Sequence, residues 1–142
     1  MFADVNGVRI FYETVGGGSP ILLLHGNGED HTIFRELAEQ LSAKHTVYSM
    51  DSRGHGQSSP VPELDYVQMA EDVAGLIQAL GIPSPALFGF SDGGIIGLLL
   101  AIRHPGSLSR LIACGANTRP SGLKWNSLLY YRKEYRRTRD PL

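Results

Sequence analysis

The chain has 142 residues, 42% hydrophobic and 19% charged, with a formal net charge of -1 and one cysteine, Cys114. That size and balance fit one modest globular domain with room for a single core. They exclude a charge-driven attraction to nucleic acid or an anionic membrane, and an internal disulfide. The longest apolar runs, 21–24 and 95–102, fall short of the roughly 20 residues that a bilayer span needs. The first ten residues lack the basic start and apolar stretch of a secretory signal, so the expected location is cytoplasmic, with no membrane partner.

Residues 2–5 and 8–15 flank Asn6-Gly7, a dipeptide suited to a type I′ turn because both residues accept positive φ, and predict an opening β-hairpin. Residues 16–20 form a loop. Residues 21–24 form a continuous apolar run, the pattern of a central parallel strand covered on both faces. Asp30 is placed to cap a helix whose apolar positions Ile33, Phe34, Leu37, Ala38 and Leu41 share one face over three turns. Residues 46–50 return as a strand. Asp65 and Gln68 make a capping-box pattern ahead of a helix carrying Tyr66, Met69, Ala70, Val73, Leu76, Ile77 and Leu80, which Gly81 and Pro83 stop. A strand from Ala86 leads into a helix that ends near His104, before Pro105, and residues 108–113 are the last predicted strand. Strands alternating with helices argue for an α/β fold: a mostly parallel, doubly wound sheet with the antiparallel hairpin at one edge.

Three segments carry the chemistry. Gly89-Phe90-Ser91-Asp92-Gly93 lies where a buried-type strand meets an apolar helix. A serine on such a sharp turn is lifted clear of the backbone, and the flanking glycines give the turn room. His25-Gly26-Asn27-Gly28 follows directly on the strand 21–24, at the carboxyl end where open parallel sheets bind ligands. With Ser91 it suggests an oxyanion hole, Asn27 N–H and Asp92 N–H being the expected donors. The third segment, 51–58, is dense in polar and turn-forming residues and taken alone says only loop; His55, between two glycines, is expected to be structural.

In this order the three segments resemble the α/β-hydrolase family, whose members show an HG-x-x turn, a D-x-R-G-x-G-x-S loop and a G-x-S-x-G elbow. The resemblance covers residues 5–116. It implies that Ser91 is similar to the nucleophile, that Asn27 and Asp92 resemble the oxyanion-hole residues, and that 51–58 braces the site. It also implies a fold incomplete relative to the family, with 1–123 the N-terminal part of the core. The basic tail 124–142, with six Lys or Arg, resembles the start of a helical cap and reads alternatively as a frayed tail.

The resemblance implies a serine hydrolase acting on an ester-like or other small-molecule acyl substrate, with no cofactor and no metal. In that family the acid and then the histidine follow the nucleophile in the chain. Here the only histidine after Ser91 is His104, more than three helical turns away, and the positions after the last strand are Gly115, Ala116, Asn117 and Thr118. The chain is therefore expected to be a fragment or truncated product, nearly inactive alone, with an uncovered sheet edge that favours self-association. Two other readings remain at this point: a non-catalytic binding protein on a hydrolase scaffold, and a dinucleotide-binding domain in which Gly26-Asn27-Gly28 precedes Asp51 but His31 occupies the third glycine position.

Overall fold

The computed structural model describes residues 1–117 together with Arg119 and Gly122. The expected cap or tail, 124–142, lies outside the described residues, as does the boundary proposed at 123. Strands β1 (Phe2–Val5) and β2 (Val8–Gly16) pair antiparallel with Val5 opposite Val8. Asn6 and Gly7 between them have φ of 48° and 77°, as a two-residue primed turn requires. Four further strands, β3 (Ser19–Leu24), β4 (His45–Met50), β5 (Ala86–Phe90) and β6 (Arg110–Cys114), complete one sheet in the order β1-β2-β4-β3-β5-β6. The last four are mutually parallel where they pair, and β2 joins them antiparallel through β4. The sheet is thus mostly parallel with the hairpin at one edge, as the sequence predicts.

Alternation along β3 builds two cores. Leu22 and Leu24 point to one face, where Val73 and Leu76 of α2 (Tyr66–Ala79) and Ile96 and Leu100 of α3 (Asp92–Arg103) cover them. Leu23 points to the other face and packs with Val47, Phe34 and Ala38, the last from α1 (Arg35–Ser42). With helices on both faces, the apolar end of this central strand, Leu22 to Leu24, is fully buried.

Local chemistry sets the helix ends. Asp65 accepts Gln68 N–H at 2.8 Å, as expected of a cap, but the Gln68 side chain accepts from Arg53 Nη1 at 2.7 Å, so the reciprocal half of the capping box is not made. At the other end, Gly81 takes φ of 61°, with Ile82 N–H donating to Ile77 O and Gly81 N–H to Gln78 O, the pair of bonds of a Schellman motif.

Two sequence expectations need correction. Asp30 caps a single 3-10 turn, His31–Phe34, and the α-helix starts only at Arg35, so Ile33 falls on the exposed side. The reason is tertiary: the His31 backbone N–H and ring are drawn to the Asp51 carboxylate, which tightens this turn. The last strand runs from Arg110 to Cys114 instead of 108–113, in register with β5 through Ala86↔Arg110 and Phe90↔Cys114. Among the described residues β6 has a neighbour on one side only, and Ile112 on it is 61% exposed.

Candidate active site

Ser91 sits between β5 and α3 with φ of 52° and ψ of -115°. A non-glycine residue held there costs about 1–3 kcal/mol, so the surroundings must impose the turn. They do so at several points. Ser91 N–H donates to Cys114 O at 2.8 Å, tying the turn to the end of β6, while Gly94 and Ile95 N–H donate to Ser91 O. The glycines on either side are sterically required: a Cβ on Gly89 would overlap the Gly93 carbonyl, and one on Gly93 would overlap the carbonyls of Leu24 and His25.

The His25–Gly28 loop meets this turn at Gly26. A Cβ placed on Gly26 would lie 3.0 Å from Ser91 Cβ, so the two sequence segments nominated for one site adjoin. Asn27, the next residue, lies on the exposed loop, and Asp92 is the first residue of α3. Among the described residues neither Asn27 N–H nor Asp92 N–H has a hydrogen-bond acceptor. The 26–27 peptide is held by its carbonyl: Gly26 O accepts from His25 Nδ1 at 2.7 Å and from Glu29 N–H. Glu29 Oε2 in turn accepts Gly26 N–H at 2.8 Å.

His25 is 1% exposed and uses both ring nitrogens, Nδ1–H donating to Gly26 O and Nε2 accepting Ser52 N–H at 3.0 Å. That pattern requires the neutral ring. Burial, the largest influence, lowers its pKa below the ordinary 6.5, with His55 adding in the same direction. The unfolded state then binds the proton more readily than the folded one, so this contribution is full above about pH 6.5 and is lost as pH falls below that value towards the folded pKa. Melting curves from about pH 7.5 to 5.5 should show stability falling on acidification, and His25→Gln should flatten that slope. An unchanged slope in the variant would remove His25 as its source.

The 51–58 loop braces this assembly, as the family resemblance implies. Asp51 is 0% exposed. Its Oδ1 accepts from His31 N–H and His31 Nδ1 at 2.7 and 2.8 Å, and its Oδ2 accepts Gln57 N–H at 2.8 Å. Gly56, with φ of 50°, lies so close that a Cβ there would overlap the same carboxylate. Ser58 Oγ donates to Asp51 O and accepts Phe11 N–H, fastening the loop to β2. Asp51 is thus fully buried with both oxygens engaged inside the loop and presents neither to a ribose, against the dinucleotide reading. Asp30, His31 and Asp51 bring potential metal-ligand atoms within 4.8 Å of one another, yet the atoms are engaged in hydrogen bonds, Asp30 Oδ1 with Thr32 among them.

Sequence reasoning did not find the buried ion pair beneath the loop. Arg53 Nε and Nη2 donate to the two carboxylate oxygens of Asp72 at 2.6 and 2.7 Å, and Asn6 Nδ2 adds a bond from the hairpin turn. A signal was present: Asp72 is a lone acid three residues after Met69 and four before Leu76, on the apolar stripe of α2. No histidine hydrogen-bonds to Ser91 among the described residues. His31 holds Asp51, His45 meets Ser19 Oγ, His55 donates to Arg53 O, and His104 meets Glu71 Oε2 at 2.9 Å. His104 is thus committed elsewhere, consistent with its distance along α3.

A strand, strained serine turn and helix on this mixed sheet define a class of protein, and the comparison with known families agrees. Residues 19–138 match the model of the alpha/beta hydrolase fold, and the chain belongs to that family. It is 34% identical to a human protein named Serine hydrolase BPHL, over 97% of this chain and 51% of that one. It is 36% identical to a pimeloyl-[acyl-carrier protein] methyl ester esterase of Chromobacterium violaceum, over 79% of this chain and 42% of that one. Among solved structures, a thermophilic esterase from Thermogutta terrifontis superposes with a TM-score of 0.82 at 30% identity, covering 97% of this chain and 51% of that one. The chain spans about half the length of the curated relatives it matches. Among the described residues no helix is long and apolar enough to cross a membrane.

Proposed function

We propose that Ser91 is the nucleophile of a serine hydrolase acting on an ester-like or other small-molecule acyl substrate. The observation that carries this reading is the strained Ser91 backbone at a strand-to-helix junction, beside two N–H groups that have no acceptor among the described residues. Ser91 Oγ attacks the acyl carbon, and the Asn27 and Asp92 N–H groups hold the oxyanion, aided by the positive end of α3. Collapse of the oxyanion expels the leaving group, which takes up the serine's proton, and water then releases the acyl group as the acid. No cofactor enters this sequence of steps.

Proton transfer needs a histidine oriented by a carboxylate, and the five histidines of this chain are engaged elsewhere. The isolated 142-residue chain is therefore expected to be nearly inactive, hydrolysing a p-nitrophenyl ester slower than about 1 s⁻¹. The test of the nucleophile is fluorophosphonate labelling of the longest native form of the protein. Covalent modification at Ser91 supports the reading; a folded protein that takes up no label would favour a binding role on the same scaffold.

The exposed edge has its own consequence. Among the described residues β6 has no partner strand on its outer side, with Ile112 on it 61% exposed and Ile102 of α3 72% exposed. We propose that the isolated chain self-associates through this edge. Size exclusion should show a concentration-dependent shift to larger species that Ile112→Lys suppresses. Monomeric behaviour at every concentration would refute it.

A further inference from the structure

The Gly26 backbone touches two groups at once. A Cβ on it would sit 2.7 Å from Glu29 Oε2 and 3.0 Å from Ser91 Cβ, so the carboxylate and the serine are no further apart than those two distances laid end to end. Glu29 is held there by its bond from Gly26 N–H at 2.8 Å and is only half-buried. Its other oxygen, Oε1, has no hydrogen-bond partner among the described residues, so one acceptor remains unengaged beside the serine.

Among the described residues no cation pairs with Glu29. The Arg53 guanidinium is taken by Asp72 and Gln68, and His25 is held as the neutral ring by its two bonds. A second carboxylate, Asp92, follows Ser91 directly in the chain. An acyl group bound to Ser91 thus lies within a few ångströms of a fixed negative charge, where like charges are poorly screened compared with open water.

We infer that Glu29 is a specificity-determining residue that excludes acyl groups bearing a negative charge, restricting the site to uncharged or cationic ones. The inference rests on Ser91 being the nucleophile. For an acyl carboxylate held about 6 Å from Glu29 at an effective dielectric near 20, Coulomb repulsion corresponds to roughly a hundredfold discrimination, reduced to about tenfold by the solvent that reaches a half-buried carboxylate. Glu29→Gln separates charge from geometry, because the amide oxygen still accepts Gly26 N–H while the charge is gone.

The experiment compares kcat/KM for two p-nitrophenyl esters of matched size, butyrate and hemisuccinate, with the longest native form of the protein. Wild type is expected to favour the butyrate. Glu29→Gln should raise the hemisuccinate-to-butyrate ratio about tenfold and lose most of the salt dependence of that ratio. A ratio unchanged by Glu29→Gln, with Ser91 still taking up fluorophosphonate, overturns this inference alone. Neither ester turned over, with no label at Ser91, overturns the nucleophile reading and this inference with it.

Discussion

Ser91→Gly is expected to stabilise the fold while abolishing hydrolysis and covalent labelling. The backbone at Ser91, with φ of 52° and ψ of -115°, is one that glycine adopts without steric conflict. Relief of strain, less the extra entropy of an unfolded glycine, leaves a net gain of about 1 kcal/mol, or a melting temperature higher by roughly 3 °C. Ser91→Ala keeps the strain and removes only the hydroxyl, so the difference between the two variants isolates the backbone term. Both should lower ester hydrolysis by the longest native form by about 10⁴ to 10⁶ and accept no fluorophosphonate. Alanine and glycine variants of equal stability would show that the turn carries no strain, and labelling that persists in either would place the nucleophile elsewhere.

The second large effect concerns the buried ion pair of the 51–58 loop. Asp72 is 1% exposed and Arg53 7%, joined by two hydrogen bonds through opposite carboxylate oxygens. Asp72 is the main reason that the Arg53 guanidinium holds its proton more tightly than usual. Asp72→Ala strands a buried cation with Gln68 as its remaining side-chain partner, and breaking such a pair costs about 3–5 kcal/mol. Because Arg53 lies in the loop that also contains Asp51 and Ser52, the loss should loosen the contact from Ser52 N–H to His25 as well. The melting temperature is expected to fall by roughly 10–20 °C. Replacing both partners together, Arg53→Met with Asp72→Leu, should recover most of that loss, since apolar packing substitutes for a buried pair. A single variant within about 1 kcal/mol of wild type would mean that water reaches the site and screens the charge.

Much of the architecture was legible because its signals are local. Asn6-Gly7 can hardly form anything but a primed turn, Asp65 caps the helix it precedes, and Gly81 ends it with two backbone bonds. The Asp30 helix shows where locality stops. Its apolar spacing predicts three helical turns, but a bond to Asp51, twenty residues on in the chain, holds His31 in a 3-10 turn instead. Periodicity carries no record of a partner from another strand. The same limit applies to the lone acid on α2, visible in the sequence as Asp72 but unexplained until Arg53 is brought against it.

The sequence by itself determined the alternation of strands and helices, the covered central strand, the serine between glycines and the family those motifs resemble. Each of these depends on residues within a few positions of one another, where sterics and side-chain period act directly. Tertiary structure alone decided that Gly26 touches the serine turn, that His25 Nε2 accepts Ser52 N–H, and that Asp51 is spent on His31. Those contacts join β3, β4 and β5, strands distant in the chain but adjacent in the sheet, and only the parallel register of the folded sheet brings their carboxyl ends together.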